Sequence, residues 1–531
     1  MRNYKVPLSK TNWKNNLLED YLNGSDFLQT FYQYEPNFEN LEQAISDRRK
    51  FVVDRELLVE VLLDQNKNYL QLGNLQQRIS SLIDSNTFTI TTGHQLGIAG
   101  GPLFFIYKII TTIKLAQQLT DQNKQEKFVP VFWMATEDHD FEEIASVRVF
   151  QNKLTWDLQN PAGACGEMAT DSLNDLINQL RAINGDSLNA AYLNKILKDC
   201  YQAGLNLSEA TRKFVYSLLG EFGIVVIDAN DARLKSTFVK EMRDELLNQT
   251  AHAKVTETSD RLSLKYRPQV FPRELNLFYK DTNLRERFVN HHNGVFNVTN
   301  TDLFFSNDIL LDMLDRYPER FSPNVIMRPL YQEKILPNIA YIGGAGELAY
   351  WLQLKSLFEY HQLFFPMLVN RNNALIITEK LLKKALAIGV HEDEIFQGEQ
   401  ALIKLVIERQ EKNNFDLADS KNKLAEEFNS IATKALTIDP TLERYIQAER
   451  QKTINALENI EKKMLQAIKK KNENALNICK QIVDEVFPDN HPQEREQSIV
   501  PFFLKEGVEG IRYFMNHIEP FSNEILVVVT E

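Results

Sequence analysis

Thr87–Thr92 (TFTITT) runs into Gly93, and the chain then passes Gly97 and Gly100-Gly101-Pro102 before Ile106, Ile109, Ile110, Ile113 and Leu115. The first segment is uncharged and largely β-branched, the texture of a buried strand. The second has helical spacing, and Pro102 suits a first helical turn. Val129–Ala135 (VPVFWMA) follows as another unbroken apolar run. Strand, glycine turn, helix and strand make a βαβ unit, and strands apolar on both faces belong inside a parallel sheet. An α/β core is therefore predicted. Ile224–Asp228, Val325–Arg328, Pro366–Val369 and Ile525–Thr530 are further candidate strands. The last returns to β texture after a long helical stretch, so the C-terminal segment is expected to rejoin the core. Leu57, Leu58, Val61 and Leu62, then Leu70, Leu72 and Leu75, predict helices near the N-terminus.

A chain of 531 residues exceeds one ordinary core, and a division at 1–375, 376–488 and 489–531 fits the pattern. Between about 400 and 487 strand signals nearly vanish. Leu417, Leu424 and Ile431 recur at seven, offset by Phe428 and Ala435. After Asp439-Pro440 the repeat resumes with Ile446, Thr453, Ile460 and Ala467, offset by Leu457, Met464 and Ile478. Glu408 with Lys412 and Glu458 with Lys462 are spaced for supporting pairs. An antiparallel coiled-coil hairpin is predicted, with Lys471 and Asn474 interrupting its seam. The net charge of −12 and the absence of a basic face argue against nucleic acid; Lys469–Lys471 reads as a solvated helix face. Cys165, Cys200 and Cys479 are widely spaced, which argues against a disulfide framework and a structural zinc. The start, MRNYKVPLSKTNWKNN, has no apolar leader region, and no run of about 18 apolar residues occurs. A soluble cytoplasmic protein is expected, with no membrane partner.

Three motifs can carry chemistry. Thr92-Gly93-His94-Gln95 with Gly101 places a strand end before a helix N-terminus, which suits a phosphate or carboxylate; the alternative is a tight structural turn. His94 either donates to developing phosphate charge or caps that turn. Glu137-Asp138-His139-Asp140 ends the next strand, so it should face the same crevice. Such carboxylates would raise one another's pKa, hold His139 protonated, or bind an amine or Mg²⁺; the alternative is an N-cap by Asp138 or Asp140 for a helix over 141–144. Arg328, read at a strand end, suits bidentate anion binding or an ion pair with Glu333. The turn Gly343-Gly344-Ala345-Gly346-Glu347 permits close approach of backbone to ligand. Arg273, Asn276, Phe278, Tyr279, Arg285 and Arg287 form a scattered polar group without an evident chemistry.

Taken together, TTGHQLGIAGGPLFFIYKI, FWMATEDHDFEEI, NLFYKDTNLRERF and RPLYQEKILPNIAYIGGAGELAYWLQL resemble the bacillithiol biosynthesis cysteine-adding enzymes, in order and through nearly the whole chain. The resemblance implies a Rossmann-like core with inserted connecting segments, a coiled-coil domain, and a homodimer formed through it. It also implies a ligase that joins L-cysteine to the amine of glucosaminyl-malate, the last step of bacillithiol synthesis. The family pattern often carries Gln at the place of His94, so it implies no indispensable acid there. On this reading Gly93, His94, Gln95, Gly101, Gly343, Gly344 and Glu347 bind nucleotide or substrate, and Arg328 holds the malate carboxylate. Glu137, Asp138, His139 and Asp140 are catalytic: Asp138 or Asp140 takes the cysteine ammonium or Mg²⁺, and Glu137 or His139 accepts the amine proton. ATP with Mg²⁺ can activate the cysteine; a pre-activated cysteine donor is the alternative, because no lysine-rich triphosphate loop is present. No metal-ligand cluster is expected. A non-catalytic scaffold acting through the hairpin is the reading from another class.

Overall fold

In the computed structural model, which describes every residue except 14, 124, 292, 293 and 412–416, the βαβ unit sits at the centre of a five-stranded parallel sheet. β1 (Thr87–His94) leads through α1 (Leu103–Gln122) into β2 (Lys127–Met134), paired from Thr87 opposite Lys127 to His94 opposite Met134. β3 (Val225–Asp228), β4 (Asn338–Gly343) and β5 (Met367–Asn370) complete the order β5-β4-β1-β2-β3. All of β1 is buried except His94, which is half-buried. Three of its four threonines find partners, while the buried Thr87 hydroxyl has none among the described residues. Thr89 and Thr91 donate to Asn338 Oδ1 at 3.3 and 2.8 Å, and Thr92 donates to the Ile342 carbonyl at 2.8 Å. Ile90, Leu115, Phe128, Ile339, Ile342 and Val369 fill the core around the sheet.

The sheet belongs to a unit comprising Lys14–Leu375 and Gln493–Leu526. The same unit holds a five-stranded antiparallel sheet, in the order Phe304–Ser306, Val295–Val298, Leu284–Asn290, Leu277–Asp281 and Phe321–Pro323. The strand expected at 325–328 is not there. The chain is extended only over Phe321–Pro323; Asn324 Oδ1 then accepts from the Ile326 and Met327 N–H groups and turns it into α2 (Met327–Ile335). Arg328 therefore stands on the first turn of a helix. After β4, Gly344 opens the short helix α3 (Ala345–Trp351).

Met1–Trp13, Ile376–Pro492 and Val527–Glu531 form a second unit. The strand Glu524–Thr530 pairs with Arg2–Pro7 and Asn373–Thr378 in a three-stranded sheet, so it does not join the parallel sheet. Residues 493–526 do group with the core. In the hairpin, α4 (Ala418–Leu436) runs against α5 (Leu442–Lys471). Ala435 packs with Ile446 near the turn, whereas Lys421 meets Glu461 at 2.6 Å further out, so the two helices are antiparallel. Phe428 and Ala432 also lie on this seam, but Ile431 and Ile460 are 48% and 50% exposed. A helix of 3.6 residues per turn drifts about 20° per heptad, and here the seam passes from Ile431 to Ala432. Lys412 of the expected Glu408–Lys412 pair lies outside the described residues; Glu408 lies 3.8 Å from Lys404. Among the described residues no helix is long and apolar enough to cross a membrane.

Candidate active site

The carboxyl ends of β1, β2 and β4 open on a cavity of about 820 Å³, in the crevice where open parallel sheets take their ligands. β1 and its turn supply Gly93, His94 and Gln95; the turn after β2 supplies Glu137, Asp138 and His139; α2 supplies Arg328; Gly344 and Glu347 follow β4. Phe104, Trp133, Tyr341 and Tyr350 form its aromatic wall.

Three expected positions do not line this cavity. The Gly101 N–H bonds to the Ile98 carbonyl at 2.9 Å, and the Leu103 N–H bonds to the Gln497 carbonyl at 2.7 Å. Neither is available to a phosphate, because the segment near 497 already satisfies the start of α1. Gly343 closes β4; its carbonyl accepts from the Arg371 N–H at 2.9 Å, and a Cβ there would lie 3.1 Å from the Leu348 and Tyr341 side chains. It is a packing glycine. Asp140 takes the capping alternative, accepting from the Glu143 N–H at 3.4 Å.

The acidic cluster is sorted by its surroundings. Glu137 Oε1 accepts from Lys235 Nζ at 2.7 Å, and buried Lys235 also donates to the Phe321 carbonyl at 2.9 Å. Asp138 Oδ1 accepts from the N–H groups of His139 and Asp140 at 2.8 and 3.3 Å, while Oδ2 accepts from Gln95 Nε2 at 3.4 Å. Burial opposes the Asp138 charge, but the His139 side chain, the Arg285 guanidinium and the two backbone donors outweigh it and hold the carboxyl at about 2. The expected mutual raising among carboxylates falls elsewhere: burial, then Asp140 and Asp138, push Glu143 up. His139 Nδ1 lies 2.6 Å from Arg285 Nη1. A guanidinium only donates, so this contact presents Nδ1 to it as the accepting nitrogen. Asp138 Oδ1 lies 3.7 Å from that same nitrogen.

Arg328 Nη1 donates to Gln332 Oε1 at 3.0 Å and Nη2 to the Tyr350 hydroxyl at 3.4 Å, with the guanidinium 5.7 Å from the Trp133 and Tyr341 ring centroids. The Glu333 ion pair is not formed. Glu333 Oε1 accepts from Gln332 Nε2 and Asn338 Nδ2, both at 2.8 Å, and burial lifts this carboxyl to about 7. Glu347 accepts from the Tyr341 hydroxyl at 2.7 Å and the Gly344 N–H at 3.0 Å, and lies 2.7 Å from buried Lys108. Burial opposes its charge, yet Lys108 and these donors hold it at about 2. Lys108 also donates to the Gly93 carbonyl. Burial and the Lys108 charge drop the His94 imidazole to about 3, so this ring, packed 4.9 and 5.4 Å from Phe104 and Phe105, is neutral.

Lys108, Arg371 and Arg495 carried no local signal, and Arg273, Arg285 and Arg287 looked scattered. The fold brings these five arginines to the cavity with Arg328, against Glu137, Asp138, Glu143 and Glu347. The wall carries more cations than anions, as a site for anionic substrates requires. Among the described residues no three His, Cys, Asp or Glu side chains group as metal ligands. A Mg²⁺ ion would therefore need substrate oxygens to complete its shell.

Residues 1–372 match the family model described as Bacillithiol biosynthesis BshC, N-terminal Rossmann-like domain, and residues 374–530 match Bacillithiol biosynthesis BshC, C-terminal coiled-coil domain. A protein of Flavobacterium psychrophilum named "Putative cysteine ligase BshC" is 38% identical over 526 residues, covering 98% of each chain. Namesakes from Flavobacterium johnsoniae and Christiangramia forsetii are 39% identical over 514 residues, covering 96% of this chain and 97% of the relative, and 36% identical over 529 residues, covering 98% of each. With both of its domains matched and relatives aligned along nearly its whole length, the chain belongs to the BshC family of bacillithiol biosynthesis.

Proposed function

We propose that this chain is a cytoplasmic cysteine ligase that joins the carboxyl of L-cysteine to the amine of glucosaminyl-malate, completing bacillithiol. The observation that carries the reading is one cavity, at the strand ends, in which an ionised Asp138 stands among an excess of arginines. Asp138 anchors the cysteine ammonium. Arg328, with no carboxylate partner among the described residues, holds a carboxylate of the malate group. The amine nitrogen attacks the activated cysteine carbonyl; the N–C bond forms and the bond to the leaving group breaks with its electron pair. The amine proton passes to Glu137, whose second oxygen is not engaged by Lys235. ATP with Mg²⁺ supplies the leaving group in one route, and its phosphates fit arginine side chains and Gly93–Gln95 rather than the start of α1. Exposed Ile431, Ile438, Tyr445 and Ile460 on the hairpin support a homodimer through it.

Mass spectrometry of the thiol formed from glucosaminyl-malate and cysteine, with and without ATP and Mg²⁺ or with a pre-activated cysteine, tests the reading. The wild type is expected to make product with one of these donors, and Asp138→Asn to lose about 100-fold or more. No product from any donor would overturn the reaction, and near-full activity of Asp138→Asn would remove Asp138 from its role.

A further inference from the structure

Arg285, buried on the strand Leu284–Asn290, has each terminal group assigned. Nε donates to Ser322 Oγ at 3.0 Å and Nη2 to the Pro323 carbonyl at 3.3 Å, while the guanidinium lies 4.0 Å from the Phe278 ring centroid. These partners come from the next two strands of the same sheet, whose register places Phe278 opposite both Arg287 and Ser322. The remaining nitrogen, Nη1, meets His139 Nδ1 at 2.6 Å, and Phe278 packs 5.2 Å from the His139 ring. The antiparallel sheet thus reaches across the cavity wall and grips one edge of an imidazole supplied by the parallel sheet.

We infer that Arg285 is a positioning residue that locks His139 as the neutral Nε2–H tautomer, so that His139 serves as a fixed hydrogen-bond donor to a substrate oxygen and not as a proton acceptor. The inference rests on the proposal that amide formation occurs in this cavity. A second proton on the ring would sit on Nδ1 and point at a guanidinium N–H, setting two donors and two positive charges against each other at 2.6 Å. Asp138, at 3.7 Å, is the facing carboxylate, and its nearer oxygen already accepts two backbone N–H groups. Negative charge develops on the carbonyl oxygen when an amine adds to an activated carboxyl. A preset N–H donor is what that oxygen requires.

The test uses the full chain labelled with ¹⁵N-histidine, with His139 assigned by the signal lost in His139→Asn. Long-range ¹H–¹⁵N correlation is expected to show Nδ1 bare and Nε2 protonated from about pH 5.5 to 8, across the ordinary histidine range. Arg285→Met should release the ring to titrate, and Arg285→Lys, which keeps a cationic donor, should restore part of the lock. A wild-type His139 that takes a second proton above about pH 6, or an Arg285→Met spectrum identical to wild type, overturns the inference. In turnover, Arg285→Met should lower kcat by at least about 10-fold with little change in KM for glucosaminyl-malate, and Arg285→Lys should recover part of it. An unchanged kcat also overturns the inference. If no donor supports turnover, the reaction assignment fails, while the tautomer measurement still decides whether Arg285 sets the ring.

Discussion

Replacing Lys108 with Met separates the architecture of the site from its chemistry. Lys108 is 1% exposed, lies 2.7 Å from Glu347, itself 27% exposed on the cavity wall, and donates to the Gly93 carbonyl, so its loss takes the cation from a largely desolvated carboxylate and a donor from a buried carbonyl. Breaking a buried pair from one side costs about 3–5 kcal/mol, since the remaining charge stays desolvated. Glu347 keeps the Tyr341 hydroxyl and the Gly344 N–H as donors, which favours the lower end, about 3 kcal/mol. The double variant Lys108→Met/Glu347→Gln removes the orphaned charge and should recover at least half of that loss. The pH dependence has a definite sign. The Glu347 carboxyl is depressed to about 2, so its contribution is present above the unfolded value of about 4.3 and is lost as pH falls toward 2. In Lys108→Met the folded carboxyl moves back toward or above its unfolded value, so that acid loss should shrink. Urea unfolding followed by tryptophan fluorescence, which reports Trp133 and Trp351 of the core, measures both effects. A single variant that costs under about 1 kcal/mol, or a double variant no more stable than the single, would refute the reasoning.

His94→Gln should fold and retain most activity, since the native ring is neutral and wedged between phenylalanines; a folded but inactive protein would show that the ring itself is required. Glu333→Gln should flatten the pH dependence of stability. Its carboxyl is raised to about 7, so the wild type is at full strength below about 4.3 and loses on the order of 3 kcal/mol as pH rises through 7; equal slopes in wild type and variant between about pH 5 and 8 would contradict this. Deleting about residues 412–482 and joining the ends should give a monomer in sedimentation, because the exposed apolar side chains of the hairpin go with it; a persistent dimer would place the interface elsewhere.

The parallel sheet was legible because β1 and β2 are buried on both faces, so β1 reads as an uncharged, largely β-branched run and β2 as an apolar one. β4 was harder: NIAYIG runs straight into the glycine-rich turn that carries Gly344 and Gly346, and the turn masked the strand. The antiparallel sheet was missed for a different reason. Leu284–Asn290 alternates Arg285, Glu286 and Arg287, and half of its polarity is absorbed by partners far along the chain, such as Ser322 and His139. Arg2–Pro7 is similarly polar. In the site, the contiguous motifs were visible and the convergent ones were not. Nothing in a local window marks Lys108, set between Tyr107 and Ile109 on an apolar helix, as the partner of Glu347. Reading Glu137–Asp140 as three like carboxylates and an imidazole also failed to foresee Lys235 and Arg285 behind them, which give Glu137 and His139 separate cationic partners.

The position of β4 between β1 and β5 also has a temporal side. One edge of β1 pairs with β2 within a few dozen residues, but its other edge waits for Asn338–Gly343. At bacterial-scale synthesis rates of roughly 5–20 residues per second, that edge stays open for on the order of ten to fifty seconds. It presents an uncharged, β-branched run without proline, the composition most prone to pairing with a neighbouring nascent chain. The nascent protein is thus most vulnerable midway through its own synthesis, and holdase chaperones that bind extended apolar strands would act in that interval.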